Sequence, residues 1–173
     1  MRDILVVIDM QNDFIDGSLG SKEAINIVDN VEKEILKRKD SDVIFTRDTH
    51  QENYLETFEG KNLPVKHCIE NTNGWELNPK IKEVVRNSLV LNKPTFGSFK
   101  LIEELEKMIT SKEDTITFVG LCTDICVISN AALARAKFYE NRIIILSDAV
   151  AGVTPTKNLE AIDVMKSLQI EVK

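Results

Sequence analysis

Two cysteines lie four residues apart in the segment GLCTDICV, residues 120–127, and their spacing raises the question of which one can react. A helical pattern starts directly after Thr123, a good N-cap residue, so Asp124 falls near the first helical position and Cys126 near the third. The first turn of a helix offers unpaired N–H groups and a positive dipole end, which favour a thiolate. Cys122 precedes the cap. We therefore predict that Cys126 is the better nucleophile, against the alternative that both thiols are small apolar core residues.

A cysteine that attacks a carbonyl group needs a base for its proton and a cation near its sulfur. Asp9 and Lys93 each follow or end an apolar run that is typical of a strand. The two histidines, His50 and His67, lie elsewhere, so a carboxylate is expected as the base. Either charged residue alone would be interpreted as a surface ion-pair partner, but with Cys126 they form the predicted catalytic set of a cysteine hydrolase.

Apolar, β-branched runs alternate along the chain with stretches of helical period. The predicted strands are 3–10, 42–47, 88–93, 115–120, 142–148 and 170–172, and the predicted helices are 21–39, 99–110, 123–140 and 155–168. Continuous apolar runs are typical of strands buried on both faces. We therefore predict an α/β fold, a three-layer doubly wound (Rossmann-like) domain with a central, mainly parallel six-stranded sheet, and a single domain over residues 1–173.

The composition excludes several classes of partner. With 22 basic and 28 acidic residues, the net charge of −6 opposes binding to a phosphate backbone or an anionic membrane, so neither nucleic acid nor membrane is expected as a partner. No apolar run reaches the roughly 18 residues of a membrane helix, and a cytoplasmic location is predicted. Three cysteines are few for a disulfide framework, and an odd number cannot all pair, which indicates reduced thiols.

Ligands of doubly wound sheets bind beyond the carboxyl ends of the strands. The stretch 48–79 follows such a strand end, shows little periodicity and carries both histidines of the chain. A loop of this length is unusual in a compact domain unless it has a function. Neither G-x-G-x-x-G nor G-x-x-x-x-G-K-[ST] follows any predicted strand, which argues against dinucleotide and P-loop functions.

The segments IDMQNDF, LNKPTFGSF and GLCTDICV carry a family resemblance. Asp9, Lys93 and Cys126 within them resemble the triad of the isochorismatase-like cysteine hydrolases, and the chain is most similar to nicotinamidases over almost its whole length. The resemblance implies an amidohydrolase that converts nicotinamide to nicotinate and ammonia through a thioester. It also implies an oxyanion hole made by the backbone N–H groups of Cys122 and Cys126, with a cis peptide just before Cys122.

The same resemblance implies one divalent metal ion, with Zn, Mn or Fe equally compatible with a mixed set of nitrogen and oxygen ligands. Asp48 and His50 match the family's Asp-x-His pair, and His67 matches its last ligand. The third position departs from the commonest pattern, which has a histidine where this chain has Glu56; Glu59 fits a variant that uses a carboxylate. We favour Glu59 and keep Glu56 as the alternative. Two solvated loop histidines remain the competing interpretation.

The resemblance further implies that Phe14 and Phe96 form apolar walls for a flat ring, and Leu63 is a candidate for the same pocket. Plain core packing is the alternative for both aromatic residues. Trp75 is expected to support the long loop from below.

Two other functions stay open at this stage. One is a metal-free member of the superfamily that cleaves a carbamoyl or ureido amide with the same triad. The other is a catalytically silent interaction domain, which the intact triad disfavours. The expected partners are a small-molecule amide substrate and further copies of the chain in a homo-oligomer.

Overall fold

The computed structural model describes residues 1–173 and has one central sheet of six parallel strands. The strand order is β3-β2-β1-β4-β5-β6, and every neighbouring pair is parallel. The strands are β1 (Asp3–Ile8), β2 (Val43–Asp48), β3 (Leu89–Lys93), β4 (Thr115–Leu121), β5 (Arg142–Ala151) and β6 (Glu171–Val172). The predicted parallel six-stranded sheet is confirmed.

Helices cover both faces of the sheet, and they are α1 (Asn12–Ile15), α2 (Lys22–Leu36), α3 (Phe58–Asn62), α4 (Pro79–Glu83), α5 (Phe99–Met108), α6 (Ile128–Lys137) and α7 (Pro155–Ser167). Alternate residues of β1 point to opposite faces, as the pleat of a strand requires. Ile4, Val6 and Ile8 pack in one buried cluster with α5 and α6, whereas Leu5 and Val7 pack in a second cluster with α2 and α4. The predicted three layers are therefore present. No helix has both the length and the apolar character that crossing a bilayer would require.

The main local difference from the sequence prediction lies after β4. The predicted helix over 123–140 is divided into a π-helical turn, Thr123–Val127, and α6. Thr123 is not the N-cap: Cys122 occupies that position, with extended backbone and no capping side chain. The Cys122 carbonyl accepts hydrogen bonds from the N–H groups of Ile125 and Val127, both at 3.1 Å, and the wider bond to Val127 gives this turn its π-helical spacing.

The long stretch after β2 is more ordered than its sequence indicates. It contains a 3₁₀ turn, Tyr54–Glu56, and helix α3. Thr57 caps α3 by accepting the N–H of Gly60 at 3.0 Å. This helix carries Glu59 to the site described next.

Candidate active site

The carboxyl ends of three strands bring the predicted triad together. Asp9 directly follows β1, Lys93 ends β3, and Cys126 lies in the π-helical turn after β4. The Lys93 Nζ atom is 2.6 Å from Asp9 Oδ2 and 3.5 Å from Cys126 Sγ. All three side chains are buried. A carboxylate, an ammonium and a thiol thus share one enclosed position.

The Asp9 and Lys93 charges are held in place by neighbouring polar groups. The Thr46 hydroxyl donates to Asp9 Oδ1 at 2.7 Å, and Lys93 Nζ donates to the Thr95 carbonyl at 3.1 Å. Burial raises the pKa of Asp9, although the ammonium of Lys93 acts in the opposite direction. Burial also disfavours the charge of Lys93, but Asp9, Cys126 and Asp48 together raise the Lys93 pKa above its ordinary value. Lys93 is therefore a permanent cation.

The environment of Cys126 favours the neutral thiol. Its burial raises the pKa of the thiol well above the ordinary value, and the nearby Lys93 ammonium only partly opposes that shift. Burial therefore acts against the thiolate that the sequence predicted from the helix terminus. A base is therefore needed to remove the proton, and the Asp9 carboxylate, whose Oδ2 is ion-paired with Lys93 at 2.6 Å, is among the charged groups that act on this thiol.

Cys122 differs from Cys126 in position and environment. Its side chain is half-buried, and burial together with Asp124 raises the pKa of its thiol to about 12. The Leu121–Cys122 peptide is cis, as predicted. The Cys122 N–H donates to no acceptor within the protein. This donor is therefore available to a ligand.

Asp48, His50, Glu59 and His67 form one compact cluster. One potential ligand atom from each of the four lies within 4.8 Å of those of the others. Asp48 Oδ2 is 3.0 Å from His50 Nε2 and 3.5 Å from His67 Nε2, and Glu59 Oε1 is 3.6 Å and 3.7 Å from the same two nitrogens. Glu56 is exposed and outside the cluster. The geometry therefore favours Glu59 over Glu56.

The cluster fits a divalent cation. His67 Nδ1 lies 2.8 Å from the Val65 carbonyl, which can only accept a hydrogen bond, so Nε2 carries the lone pair that faces the cluster. The buried Oδ1 atom of Asp48 has no hydrogen-bond partner. Burial opposes a charge on His50, but Asp48 and Glu59 raise its pKa to about 9, so the surroundings attract positive charge. Two imidazoles and two carboxylates suit Zn²⁺, Mn²⁺ or Fe²⁺.

Residues that sequence reasoning did not assign hold this cluster. The buried Gln11 amide accepts the Asp48 N–H at 2.7 Å and donates to the carbonyls of Asp48 at 2.8 Å and Trp75 at 2.9 Å. The buried Tyr54 ring lies 4.6 Å from the ring of His50 and 4.9 Å from that of His67, centroid to centroid. The only sequence signal for Gln11 was its place in IDMQNDF, and Tyr54 gave none.

Trp75 supports the loop, as predicted. Its indole N–H donates to the Thr49 hydroxyl at 2.8 Å, and the Arg47 guanidinium stacks 3.6 Å from the ring centroid. These contacts anchor the loop to the end of β2, close to Asp48.

A cavity of about 400 Å³ is lined by Cys126 of the triad and by Asp48, Glu59 and His67 of the cluster. Its lining includes Phe14, Leu63 and Phe96, so all three predicted wall residues are placed there. Val153, which the sequence did not indicate, also lines it, and its N–H donates to Asp124 Oδ1 at 2.9 Å. The cavity can hold a small, flat molecule with one end near Cys126 and the other near the cluster.

The fold and site define an α/β enzyme of the hydrolase class. The Isochorismatase domain family matches residues 3–172, and the chain therefore belongs to this family.

Named relatives agree with this assignment. The structure of a pyrazinamidase from Pyrococcus horikoshii in complex with zinc has a TM-score of 0.81 and 27% identity, covering 100% of this chain and 99% of the other. The structure of a nicotinamidase/pyrazinamidase from Bacillus subtilis has a TM-score of 0.81 and 26% identity over 99% of each chain. A nicotinamidase/pyrazinamidase of Mycobacterium tuberculosis is 22% identical, covering 97% of this chain and 96% of its own length.

Proposed function

We propose that this protein hydrolyses nicotinamide to nicotinate and ammonia through a thioester on Cys126. The observation that carries the proposal is one cavity whose lining includes Cys126, which contacts the buried Lys93–Asp9 ion pair, and three members of the four-residue cluster, Asp48, Glu59 and His67. The nicotinamidase/pyrazinamidase relatives support the choice of substrate. A cavity of about 400 Å³ is also at the small end of the range for ligand pockets, which suits a single six-membered ring.

The first half of the reaction forms the thioester. Asp9 takes the proton of the Cys126 thiol, and the Lys93 ammonium, 3.5 Å away, stabilises the resulting thiolate. The sulfur attacks the amide carbonyl, and the developing oxyanion accepts hydrogen bonds from the backbone N–H groups of Cys122 and Cys126. Asp9 then gives its proton to the nitrogen as the C–N bond breaks, and ammonia leaves.

The second half releases the acid. A water molecule enters the position vacated by ammonia, and Asp9 takes one of its protons as the oxygen attacks the thioester carbonyl. The same backbone donors stabilise the second oxyanion. The C–S bond breaks, the proton held by Asp9 returns to the sulfur of Cys126, and the acid is released and loses its remaining proton to solvent to give nicotinate.

Asp48, His50, Glu59 and His67 would hold a divalent cation at the far end of the cavity. Such an ion, when bound, supplies a Lewis acid for the ring nitrogen of the substrate. The protein's own contribution to binding is a set of apolar walls, in which Phe14, Leu63 and Phe96 enclose the ring and orient its amide toward Cys126.

Ammonia release from nicotinamide by the purified protein tests the proposal, with benzamide as the matched control because it lacks only the ring nitrogen. We expect turnover of nicotinamide, loss of that turnover with a chelator, and much weaker turnover of benzamide. Turnover of a carbamoyl or ureido compound in place of nicotinamide, unaffected by chelator, would favour the metal-free alternative. The absence of any amide hydrolysis would contradict the proposal.

A further inference from the structure

One buried amide outside the triad joins two parts of the candidate active site. Asn130, in α6, is fully buried. Its Nδ2 group donates to the carbonyl oxygens of Cys126 at 2.8 Å and Phe96 at 2.9 Å, and its Oδ1 accepts the N–H of Ser98 at 2.9 Å. Both hydrogens of the amide group and its oxygen are thus engaged with backbone groups.

The first of these bonds acts on the nucleophile. The π-helical turn that carries Cys126 has no side-chain cap at its start. The Asn130 side chain reaches back one turn to the Cys126 carbonyl. It therefore restrains the backbone of the residue whose sulfur must stay near Lys93.

The other two bonds act on the substrate wall. Phe96 lines the cavity, and Ser98 caps α5 by accepting the Leu101 N–H at 3.1 Å. The segment 94–98 directly follows Lys93, and Asn130 contacts it at two backbone groups. The Asn130 amide therefore bridges the turn that carries Cys126 and the segment that carries Phe96.

We propose that Asn130 is a positioning residue for the reaction. It fixes the position of the turn that carries Cys126 relative to the segment that carries Lys93 and Phe96. The geometry of sulfur attack and the binding of the substrate ring therefore depend on the same side chain. The role rests on the proposed function only for the identity of the substrate. Burial makes the arrangement stringent, because loss of the amide removes three hydrogen bonds to backbone groups, and two of these bonds are buried. The triad and the metal ligands remain chemically complete without it.

Asn130→Ala tests this role, with Asn141→Ala as the matched control. Asn141 is also a buried amide whose Nδ2 donates to two backbone carbonyls, those of Ser111 at 2.8 Å and Asp114 at 3.0 Å, near the opposite edge of the sheet. Both variants lose comparable hydrogen bonds, so both should melt at lower temperature. Only Asn130→Ala should lower kcat, by roughly tenfold to a hundredfold, because small misplacements of reacting groups are costly. It should also raise KM, since Phe96 moves.

A purely structural role makes a different prediction. Partial unfolding lowers the active fraction and hence the apparent kcat, but it leaves KM unchanged. Wild-type values of kcat and KM in Asn130→Ala would overturn the proposal. The same fall in kcat and rise in KM in Asn141→Ala, at a similar melting temperature, would also overturn it.

Alkylation of Cys126 by iodoacetamide supplies a readout that needs no substrate, and it separates this proposal from the proposed function. If the wild-type protein fails to hydrolyse nicotinamide, the function is wrong, and the alkylation rate still tests Asn130. We expect slower alkylation in Asn130→Ala, because the sulfur no longer lies beside Lys93, and a wild-type rate in Asn141→Ala. An unchanged or faster rate in Asn130→Ala would contradict the positioning role.

If Asn130→Ala cannot be obtained folded, the wild-type side chain itself can be followed by NMR. Both amide protons of Asn130 should exchange slowly with solvent, whereas those of the exposed Asn87, whose side chain makes no hydrogen bond, should exchange fast. Equally fast exchange at Asn130 would overturn the proposal.

Discussion

At the scale of single residues, the position of the Cys126 proton decides how the site can work. The thiol is buried, and burial raises its pKa although the Lys93 ammonium opposes that shift. Asp9, which contacts Lys93 at 2.6 Å, is the base in the proposed reaction. The proposed reaction therefore requires the Asp9 carboxylate as much as the Cys126 sulfur.

Asp9→Asn tests that requirement. An amide cannot accept the thiol proton, so the variant should lose nearly as much kcat as Cys126→Ala, because groups that act as a unit are each needed to complete a cycle. Steady-state rates of ammonia release compare the two variants. If Asp9→Asn kept most of its activity, another carboxylate would have to be the base, and Asp13 is the nearest in sequence.

The choice between Glu59 and Glu56 as a metal ligand gives a second prediction about single residues. Glu59 Oε1 lies 3.6 Å from His50 Nε2, whereas Glu56 is exposed. Metal analysis should find about one divalent ion per chain in the wild-type protein. Glu59→Ala and His50→Ala should lose most of it, because each removes one of the four donors. Glu56→Ala is the control and should retain the ion; the opposite result would reverse the assignment.

The sequence motifs, together with the family resemblance that they carry, predicted which residues lie together in the triad, in the cluster and along the cavity, whereas their roles stay predictions. They were not sufficient for the Cys126 pKa, because its direction depends on burial, which only tertiary packing determines. Gln11 and Asn130 were missed for a related reason. Their partners are backbone groups of distant segments, and no side-chain pattern in the sequence marks them.

At the scale of elements, the periodic parts of the chain were predicted well and the short or irregular parts were not. Strands and long helices show clear repeats of apolar residues, whereas α1, α3 and α4 span only four, five and five residues, too few for a repeat. The π-helical turn was also missed, because helical period alone does not distinguish its first residues from an ordinary helix.

The Gln11 side chain bonds to the backbone of Asp48, the last residue of β2, and Gln11→Glu tests that contact. The change is nearly isosteric, but it replaces the Nε2 donor by an oxygen that would face the carbonyls of Asp48 and Trp75 in a buried position. We expect a lower melting temperature, with a cost of about 1–3 kcal/mol or more, and weaker metal retention because Asp48 shifts. Thermal denaturation and metal analysis measure both.

Gln51→Glu is the control for that experiment. Gln51 donates to Glu70 on the protein surface and makes no bond to Asp48, so its change should leave metal content unchanged. Wild-type stability and metal content in Gln11→Glu would show that the amide is dispensable.

In the whole molecule, the candidate active site and the hydrogen bonds of Asp114 lie at opposite ends of the parallel strands. The carboxyl ends of β1 to β4 carry the candidate active site, while Asp114 closes the turn before β4 at the opposite edge. Asp114 accepts the N–H groups of Arg2 at 2.7 Å, Thr110 at 3.0 Å and Ser111 at 3.1 Å. Its charge should therefore affect stability and leave catalysis unchanged.

The pH dependence of stability tests Asp114. The backbone N–H groups, first that of Arg2, lower its folded pKa from 3.8 to about 2. A lowered folded pKa gives stability that is present above the unfolded value, about 3.9, and is lost as the pH falls through the folded value. Asp114→Asn should therefore melt at lower temperature than wild type at pH 7, and the difference should shrink between about pH 4 and pH 2.

Asp163→Asn is the control for Asp114, because Asp163 is exposed and its carboxylate makes no hydrogen bond. It should match wild type across the same pH range. A pH-independent deficit in Asp114→Asn would show that its charge is unimportant. Nicotinamide turnover at pH 7 should be the same in all three proteins.

The fold class could be predicted because parallel strands that are buried on both faces have continuous apolar sequences. The contacts of one copy with another did not follow, because a single sequence does not show which surface is covered. A homo-oligomer, a single domain and a cytoplasmic location stay predictions, and light scattering of the purified protein would test the first.

The covalent intermediate is the most direct test of the central claim. Nicotinamide is mixed with the protein, the reaction is quenched in acid within one turnover, and the intact mass and its peptides are measured. We expect one added nicotinoyl group per chain, located on Cys126, and no adduct in Cys126→Ala. An adduct on Cys122, or turnover of nicotinamide by Cys126→Ala, would contradict it.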